Sequence, residues 1–174
     1  MSLQYSSYGA AKEVTGSKHL FTFEGQRILL DCGVFQGKRL EAWEKNLKLP
    51  FDAKDINEVI LSHGHYDHCG NLPTLVKQGY KGNIYATPAS RDIANLIMMD
   101  AAHIQQLDAA FLCRKYPEKH FCTPLYEAKH VLAALEQFVT INYRRPFTVA
   151  GGVTAEFYEA GHILGSAMTL LTFP

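Results

Sequence analysis

The sequence predicts a layered α/β fold in which helices cover a sheet. Three observations lead to this prediction. Runs of β-forming residues occupy both ends of the chain, and helical patterns alternate with strands between them. Hydrophobic residues make up 47% of the 174 residues and charged residues 20%, which suits one ordinary domain with a substantial core. No internal repeat or low-complexity tract interrupts this order.

The first third of the chain has the pattern of three strands and a helix. Residues 5–10, 18–25 and 26–33 are short runs rich in β-forming residues and separated by glycine. Gly25-Gln26 has the form of a tight hairpin turn between the second and third runs. The polar segment 38–47 predicts the first helix.

The middle of the chain begins with a buried strand over residues 56–63, whose end carries a cluster of histidines. A short helix follows over 71–80, which Gly79 helps to end, and another strand over 82–87. The long stretch 88–112 has apolar residues at helical spacing, and its Pro88 and Ser90 suit a helix start.

The remaining elements are a loop over 114–124, an amphipathic helix over 125–138 and a tail of strands. The predicted tail strands are the segments "VTINY", "PFTVAGG", "VTAEFYEAGH" and "SAMTLLTF". The chain stops inside the last of them, and an apolar strand end that lacks a partner promotes association with another chain. The sequence therefore predicts a fragment of a longer protein. The exposed strand also invites pairing into a homo-oligomer, although the sequence leaves the oligomeric state open.

Composition excludes several classes of protein. The formal net charge is zero, whereas a free-standing nucleic-acid binder carries a basic excess. No apolar run approaches the roughly 20 residues of a membrane span, and no signal segment opens the chain, so we expect a cytoplasmic protein with no membrane contact. Cys32, Cys69, Cys113 and Cys122 include no C-x-x-C pair, so we expect four reduced thiols, mostly buried, rather than a zinc knuckle or disulfides.

The stretch "LSHGHYDHCG" carries the pattern that is most informative about function. Imidazole nitrogen and carboxylate oxygen are the usual protein ligands of zinc, and they also suit manganese and iron. His63 and His65 lie two residues apart in extended chain, so both rings face the same side. Asp67 and His68 come where the chain turns into a helix. One pair can therefore hold one metal ion and the other pair a second ion nearby. The alternative interpretation is a solvated histidine-rich loop.

This stretch resembles the signature loop of the metallo-β-lactamase superfamily. "YGAAKEVTGSKHL" (8–20), "LLDCGVFQGK" (29–38) and "EAGHILGSA" (159–167) resemble, more narrowly, its β-CASP branch, the RNA-processing nucleases. The resemblance runs from Tyr8 to about Leu171. It implies the αββα sandwich of that superfamily.

The resemblance also implies roles for individual residues. His63, His65 and His162 would bind a first zinc ion, and Asp67 and His68 a second, with manganese or iron as alternative metals. Asp31 would lie behind the site and hydrogen-bond a ligand or neighbouring backbone, which fixes imidazole orientation. Asp67 would also orient the nucleophilic water and accept its proton. We expect His19, His103, His120 and His130 to be surface or packing residues, and Arg144 and Arg145 to be a solvated pair.

Members of the branch continue with an aspartate that bridges the metals, a β-CASP insertion and a last zinc histidine, and this chain has none of them. We therefore expect residues 1–174 to be the N-terminal portion of a metallo-β-lactamase domain that is inactive alone. The intact protein is expected to be a zinc-dependent ribonuclease that hydrolyses RNA phosphodiester bonds with a two-zinc-activated water. Two alternatives stay open: a small-molecule thioesterase or lactonase of the same superfamily, and a non-catalytic metal-binding half-domain.

Overall fold

Two stacked β-sheets with helices on one outer face form the architecture of the computed structural model, which describes residues 2–116 and 123–174. The strands are β1 (Leu3–Ser7), β2 (His19–Phe23), β3 (Gln26–Leu30), β4 (Glu58–Ile60), β5 (Ile84–Ala86), β6 (Phe138–Thr140), β7 (Phe147–Thr148), β8 (Thr154–Glu159) and β9 (Ala167–Thr172). The helices are α1 (Arg39–Leu47), α2 (Tyr66–Cys69), α3 (Leu72–Lys77), α4 (Pro88–Lys115) and α5 (Ala128–Glu136), with short 3-10 turns at Ala53–Asp55 and Ala150–Gly152.

The larger sheet contains six strands in the order β1-β2-β3-β4-β5-β6. β1, β2 and β3 pair antiparallel, whereas β3, β4, β5 and β6 pair parallel. The smaller sheet is the antiparallel set β7-β8-β9. Because the parallel strands have the same direction, the loops that follow β3, β4 and β5 leave from one edge of the larger sheet.

The alternation of side chains along the parallel strands divides the interior into two cores. Leu29, Val59 and Ile84 face the helices and pack with the helical residues Leu75, Met98 and Val131. Their chain neighbours face the opposite way and pack against the smaller sheet; these are Ile28, Ile60 and Tyr85 on one side, with Ala155, Phe157 and Ala167 on the other. The larger sheet is therefore covered on both faces, which explains its continuous apolar strands. The layered α/β prediction is confirmed.

Several predicted boundaries shift in the structure. The hairpin turn lies at Glu24 and Gly25, not at Gly25-Gln26, because Gln26 already pairs with Phe23. Both turn residues have positive φ, 50° and 76°, as a two-residue hairpin loop requires. The helix predicted over 88–112 continues to Lys115. Part of the predicted loop 114–124 (residues 117–122, with His120 and Cys122) lies outside the described residues.

The start of α5 also differs from the prediction of a helix from residue 125. Leu125 and Tyr126 are buried core residues that precede the helix. The helix begins after Glu127, whose side chain accepts from the backbone of His130, while the His130 imidazole accepts from the Glu127 backbone N–H. This reciprocal cap satisfies two backbone donors and sets the helix start. His130 therefore serves as a cap of this helix.

The outer face of the smaller sheet is open among the described residues. Met168 and Leu170 are exposed on β9, and this strand pairs only with β8. Association of the chain through this strand stays a prediction. Within residues 2–116 and 123–174, no helix is both long and apolar enough to cross a membrane.

The packing between the two sheets predicts a large destabilisation by Phe157→Ala. The Phe157 ring is fully buried and packs against Phe147, with ring centroids 5.2 Å apart. Its removal leaves a cavity that costs about 3–5 kcal/mol of unfolding free energy. Chemical denaturation measures the change. Leu170→Ala, on the exposed face of the same sheet, is the control and should change stability by no more than about 0.5 kcal/mol. Equal effects of the two substitutions would contradict this layer assignment.

Candidate metal centre

The candidate site begins where β4 ends. After Ile60 the chain stays extended through His65 and then turns into the single-turn helix α2. This path places His63 and His65 before the helix and Asp67 and His68 inside it. Gly64, between the first two histidines, lies against α4, and a Cβ there would come within 2.6 Å of the Ile93 side chain. Only glycine lets this segment pass so close to the helix.

Three imidazoles converge at one point. The Nδ1 atom of His65 lies 3.1 Å from Nε2 of His63 and 3.2 Å from Nε2 of His162. The ligand atoms of all three residues lie within 4.8 Å of one another. His63 is buried, His65 partly buried and His162 exposed, so the group opens to solvent on one side.

These distances fit a shared metal ion better than hydrogen bonds among imidazoles. A single ring nitrogen carries either one hydrogen or one lone pair, so Nδ1 of His65 can satisfy at most one of its two neighbours. Two nitrogens bound to one tetrahedral zinc ion are about 3.3 Å apart, given zinc–nitrogen bonds of about 2.0–2.1 Å. The donor set therefore fits a divalent cation such as zinc.

Asp67 and His68 form a second, smaller group. The Asp67 Oδ2 atom lies 3.8 Å from Nε2 of His68, a separation that two ligands of one ion can also have. Both side chains are about three-quarters buried. The rings of His63 and His68 are 4.0 Å apart between centroids, so this pair lies beside the three-histidine group. Neither Asp67 nor His68 belongs to that group among the described residues.

Asp31 lies behind both groups and accepts four hydrogen bonds. Its Oδ2 atom accepts from the hydroxyls of Ser17 and Ser62 and lies 2.7 Å from Nδ1 of His68. Its Oδ1 atom accepts from the backbone N–H of Ser62 at 2.8 Å. The residue is 3% exposed and has a φ of 62°, a backbone conformation that aspartate tolerates better than most residues. Contact with Nδ1 leaves Nε2 of His68 as the atom that faces Asp67.

Ser62 is a site residue that the sequence prediction missed. Its hydroxyl lies 2.9 Å from Nδ1 of His63 and also bonds Asp31, so it joins the carboxylate to the first histidine. This contact leaves Nε2 of His63 directed at the other two histidines. The only sequence signal is its position directly before His63. A serine at a strand end has many uses, so that position alone does not identify it.

The segment that carries His162 is held by Ser166, a second missed residue. The Ser166 hydroxyl accepts from the backbone N–H groups of His162 and Ile163, both at 3.2 Å. Tyr143 donates to the Ser166 carbonyl at 2.9 Å. The next residue, Ala167, donates its N–H to the carbonyl of Ser62 at 2.9 Å. The His162 segment is thus tied directly to the residue that precedes His63.

Close backbone packing against residues 16–18 and 31–33 holds α2 in place. A Cβ on Gly33 would lie 1.5 Å from the carbonyl oxygen of Asp67, so only glycine fits there. The same carbonyl accepts from the backbone N–H of Ser17 at 2.9 Å. Lys18 is fully buried, and its ammonium donates to the Gly33 carbonyl. Burial lowers the pKa of Lys18. Residues 16–18 and 31–33 therefore form the support on which α2 rests.

The environment shifts two imidazole pKa values in opposite directions. Burial, together with the neighbouring imidazoles, lowers the pKa of His63 to about 4, although Asp31 opposes the shift. Burial also acts to lower the pKa of His68, but the hydrogen bond to Asp31 and the charges of Asp31 and Asp67 outweigh it and raise the pKa. His63 is therefore neutral near pH 7, which is the form that binds a metal ion.

The other histidines that the structure describes, and the pair Arg144 and Arg145, lie elsewhere. His19 bonds the Tyr5 hydroxyl on the outer strands, and His103 is exposed on α4. Arg144 is exposed and lies 4.4 Å above the Tyr158 ring, and Arg145 is exposed beside it. Among the described cysteines, Cys32 and Cys69 are buried and Cys113 is exposed, in line with the expectation that most of the thiols are buried.

A histidine-rich loop after a parallel strand, completed by a histidine from a second stacked sheet, defines a class of layered α/β proteins that bind divalent metals. The chain belongs to the metallo-β-lactamase superfamily, whose sequence pattern matches residues 18–155. The expected family is confirmed.

Two curated relatives have names that refer to RNA metabolism. Ribonuclease TTHA0252 from Thermus thermophilus is 35% identical over 163 residues, which cover 94% of this chain and 33% of the relative. Transcription termination factor FttA from Methanosarcina mazei is 34% identical over 169 residues, which cover 96% of this chain and 24% of the relative. The chain thus spans about a quarter to a third of the length of these relatives. A ribonuclease and a transcription termination factor both act in RNA metabolism by name, which agrees with the RNA-processing branch that the sequence motifs resemble.

A solved structure confirms the fold. The crystal structure of MEM-A1, a subclass B3 metallo-β-lactamase from a soil metagenome library, superposes with a TM-score of 0.54 at 17% identity. The match covers 99% of this chain and 55% of MEM-A1. At this level of identity the similarity concerns the fold alone.

The hydrogen bonds of Asp31 predict that Asp31→Asn destabilises the metal-free protein by about 1–3 kcal/mol. The native pKa of His68 is raised, so its pairing with Asp31 contributes stability below the ordinary histidine pKa of about 6.5 and loses it as the pH rises through the native value. The loss in the variant should therefore be larger at about pH 5.5 than at about pH 8.5. Denaturation at both pH values and an NMR titration of His68 measure this. A loss that is independent of pH, with an unchanged pKa of His68, would contradict the pairing.

Proposed function

We propose that the protein is a zinc-dependent hydrolase that cleaves RNA phosphodiester bonds. The observation that carries the proposal is the convergence of three imidazole nitrogens within 4.8 Å at the ends of two sheets. Membership of the metallo-β-lactamase superfamily supports the hydrolase. The choice of RNA is supported by the similarity to a protein named a ribonuclease.

In this proposal His63, His65 and His162 hold a first ion, and Asp67 and His68 contribute to a second. A divalent cation there would act as a Lewis acid and would make water nucleophilic near neutral pH. Asp31 and Ser62 keep the Nδ1 atoms of His68 and His63 occupied, so that both rings present Nε2 to the ions. Two ligands from the second group make a weaker site than three from the first.

Asp67 is the proposed general base and also orients the attacking water. Its backbone carbonyl accepts a hydrogen bond from Ser17 and is in close contact with Gly33. These two contacts fix the position of the start of α2. From there the carboxylate projects beside His68 with about a quarter of its surface in solvent. A carboxylate oxygen in this position can accept the proton of water as it attacks phosphorus.

The neutral chain has no general attraction for RNA, so phosphate must be attracted locally by the cations and by other parts of the whole protein. The relatives are three to four times as long as the matched region. We infer that residues 1–174 correspond to the N-terminal portion of a metallo-β-lactamase domain. The activity is therefore proposed for the whole protein, whereas metal binding is proposed for this chain.

Metal content tests the first part of the proposal. The 174-residue chain, purified and dialysed against zinc, should retain at least one ion that a strong chelator removes and added zinc restores. His63→Ala and His65→Ala should each lower zinc affinity by at least about tenfold, because each removes a direct ligand. His103→Ala, an exposed histidine on α4, is the control and should leave affinity unchanged. Failure of the parent chain to bind a divalent ion would refute the metal centre.

Substitution of Asp67 tests the catalytic part. In the whole protein, Asp67→Ala should abolish RNA cleavage, a loss of at least about 100-fold, because it removes the proposed base. The fold should persist, as measured by circular dichroism and thermal unfolding. Asp100→Ala removes an exposed carboxylate on α4 and should retain full cleavage. The same samples are assayed on thioester and lactone substrates. Turnover of those compounds without RNA cleavage would replace the ribonuclease with a small-molecule hydrolase.

A further inference from the structure

We propose that Thr87 and Ser90, at the start of α4, are positioning residues that set the place of His162 at the metal centre. The inference rests on the metal centre proposed above and adds two hydroxyl groups to it. Both side chains donate to one acceptor, the carbonyl oxygen of Gly165, at 2.7 Å each. Thr87 is 2% exposed and Ser90 is fully buried.

His162 needs such support because its own segment is open to solvent. Gly161, His162 and Leu164 are all exposed, so burial does little to hold this segment in place. The hydrogen bonds within the segment converge on Ser166, which follows Gly165 directly. A displacement of Gly165 therefore moves the Ser166 hydroxyl, and with it the backbone N–H of His162.

The two hydroxyls act on Gly165 without loss of their other roles. Thr87 is the N-cap of α4, and its Oγ1 atom accepts from the backbone N–H of Ser90 at 3.2 Å while its own hydrogen points to Gly165. The Ser90 hydroxyl has no part in that cap. Together the two donors occupy both lone pairs of one carbonyl in a buried place, where a missing partner would leave a polar atom unsatisfied.

The fit between α4 and Gly165 is too close for any other residue. Gly165 has a φ of 82°, and a Cβ there would lie 2.5 Å from the backbone nitrogen of Ser90. At the next turn of the same helix, the Ile93 side chain and the backbone nitrogen of Ala94 pack closely against Gly64. One rigid helix start therefore contacts both segments that carry the three histidines. It sets the separation of His162 from His63 and His65.

The test compares metal binding by the 174-residue chain and its Ser90→Ala variant, since that variant keeps the helix cap. We expect an affinity for cobalt(II) lower by about 10- to 100-fold, the usual effect of losing a group that orients a ligand. The visible absorption of bound cobalt should also change, because His162 is displaced from the ion. Thr87→Ser keeps both the donor and the cap and should behave as the parent chain does. Thr74→Val is a matched control, since Thr74 is buried on α3 and its hydroxyl has no hydrogen-bond partner among the described residues.

A second comparison separates positioning from general destabilisation. In a His162→Ala background, Ser90→Ala should cause no further loss of cobalt affinity, because the residue through which it acts is gone. An equal loss in both backgrounds would overturn the inference, as would unchanged affinity and spectrum in Ser90→Ala itself. If the parent chain binds no cobalt or zinc, the proposed metal centre is what fails. The two failures are therefore distinguishable.

Discussion

The Asp31 carboxylate is the interaction on which the arrangement of the site depends. It lies at the end of β3, yet it accepts from Ser62 at the end of β4 and lies against His68 on α2. One buried group thus joins two parallel strands to the helix that follows them. An ionised carboxylate is costly to bury unless its acceptor sites are filled, and here four donors fill them. Any change in the separation of the two strand ends would break some of these hydrogen bonds and leave a buried charge unsatisfied. The carboxylate therefore fixes the positions of Ser62 and His68, which bond to it.

Close contacts at three glycines restrict the backbone of the segments that carry the site. Gly33 lies directly under the Asp67 carbonyl, and Gly64 and Gly165 lie against α4. An added methyl group would overlap backbone atoms at Gly33 and Gly165 and the Ile93 side chain at Gly64, so no larger residue fits at these three positions. The site is consequently rigid although His162 is exposed. Rigidity of this kind is what a metal centre needs, because ligands that are held in place before the ion arrives lose less entropy on binding.

The sequence predicted the candidate metal ligands better than the hydrogen bonds that hold them in place. The spacing of His63, His65, Asp67 and His68 after an apolar strand is local, and local patterns are visible in one sequence. The approach of His162 came only from a family resemblance, because no rule of periodicity relates residues about a hundred positions apart. Ser62 and Ser90 were missed for a related reason. A hydroxyl has a role only through its partner, and the partners of these two residues lie 31 and 75 positions away. The start of α5 was misplaced because Leu125 and Tyr126 are apolar enough for a helix but are buried in the core before the helix begins.

The origin of the third histidine links metal binding to the packing of the two sheets. His63 and His65 follow β4 of the larger sheet, whereas His162 follows β8 of the smaller one. The two sheets meet through the core that contains Ile60 and Phe157, and through one backbone bond from Ala167 to Ser62. A bound ion would therefore stabilise this interface, since it binds only when both sheets are in place. Conversely, a substitution that loosens the core between the sheets should weaken the metal centre without touching a ligand. The large sheet alone can supply only two of the three imidazoles, and this makes the small sheet part of the site rather than a cover over it.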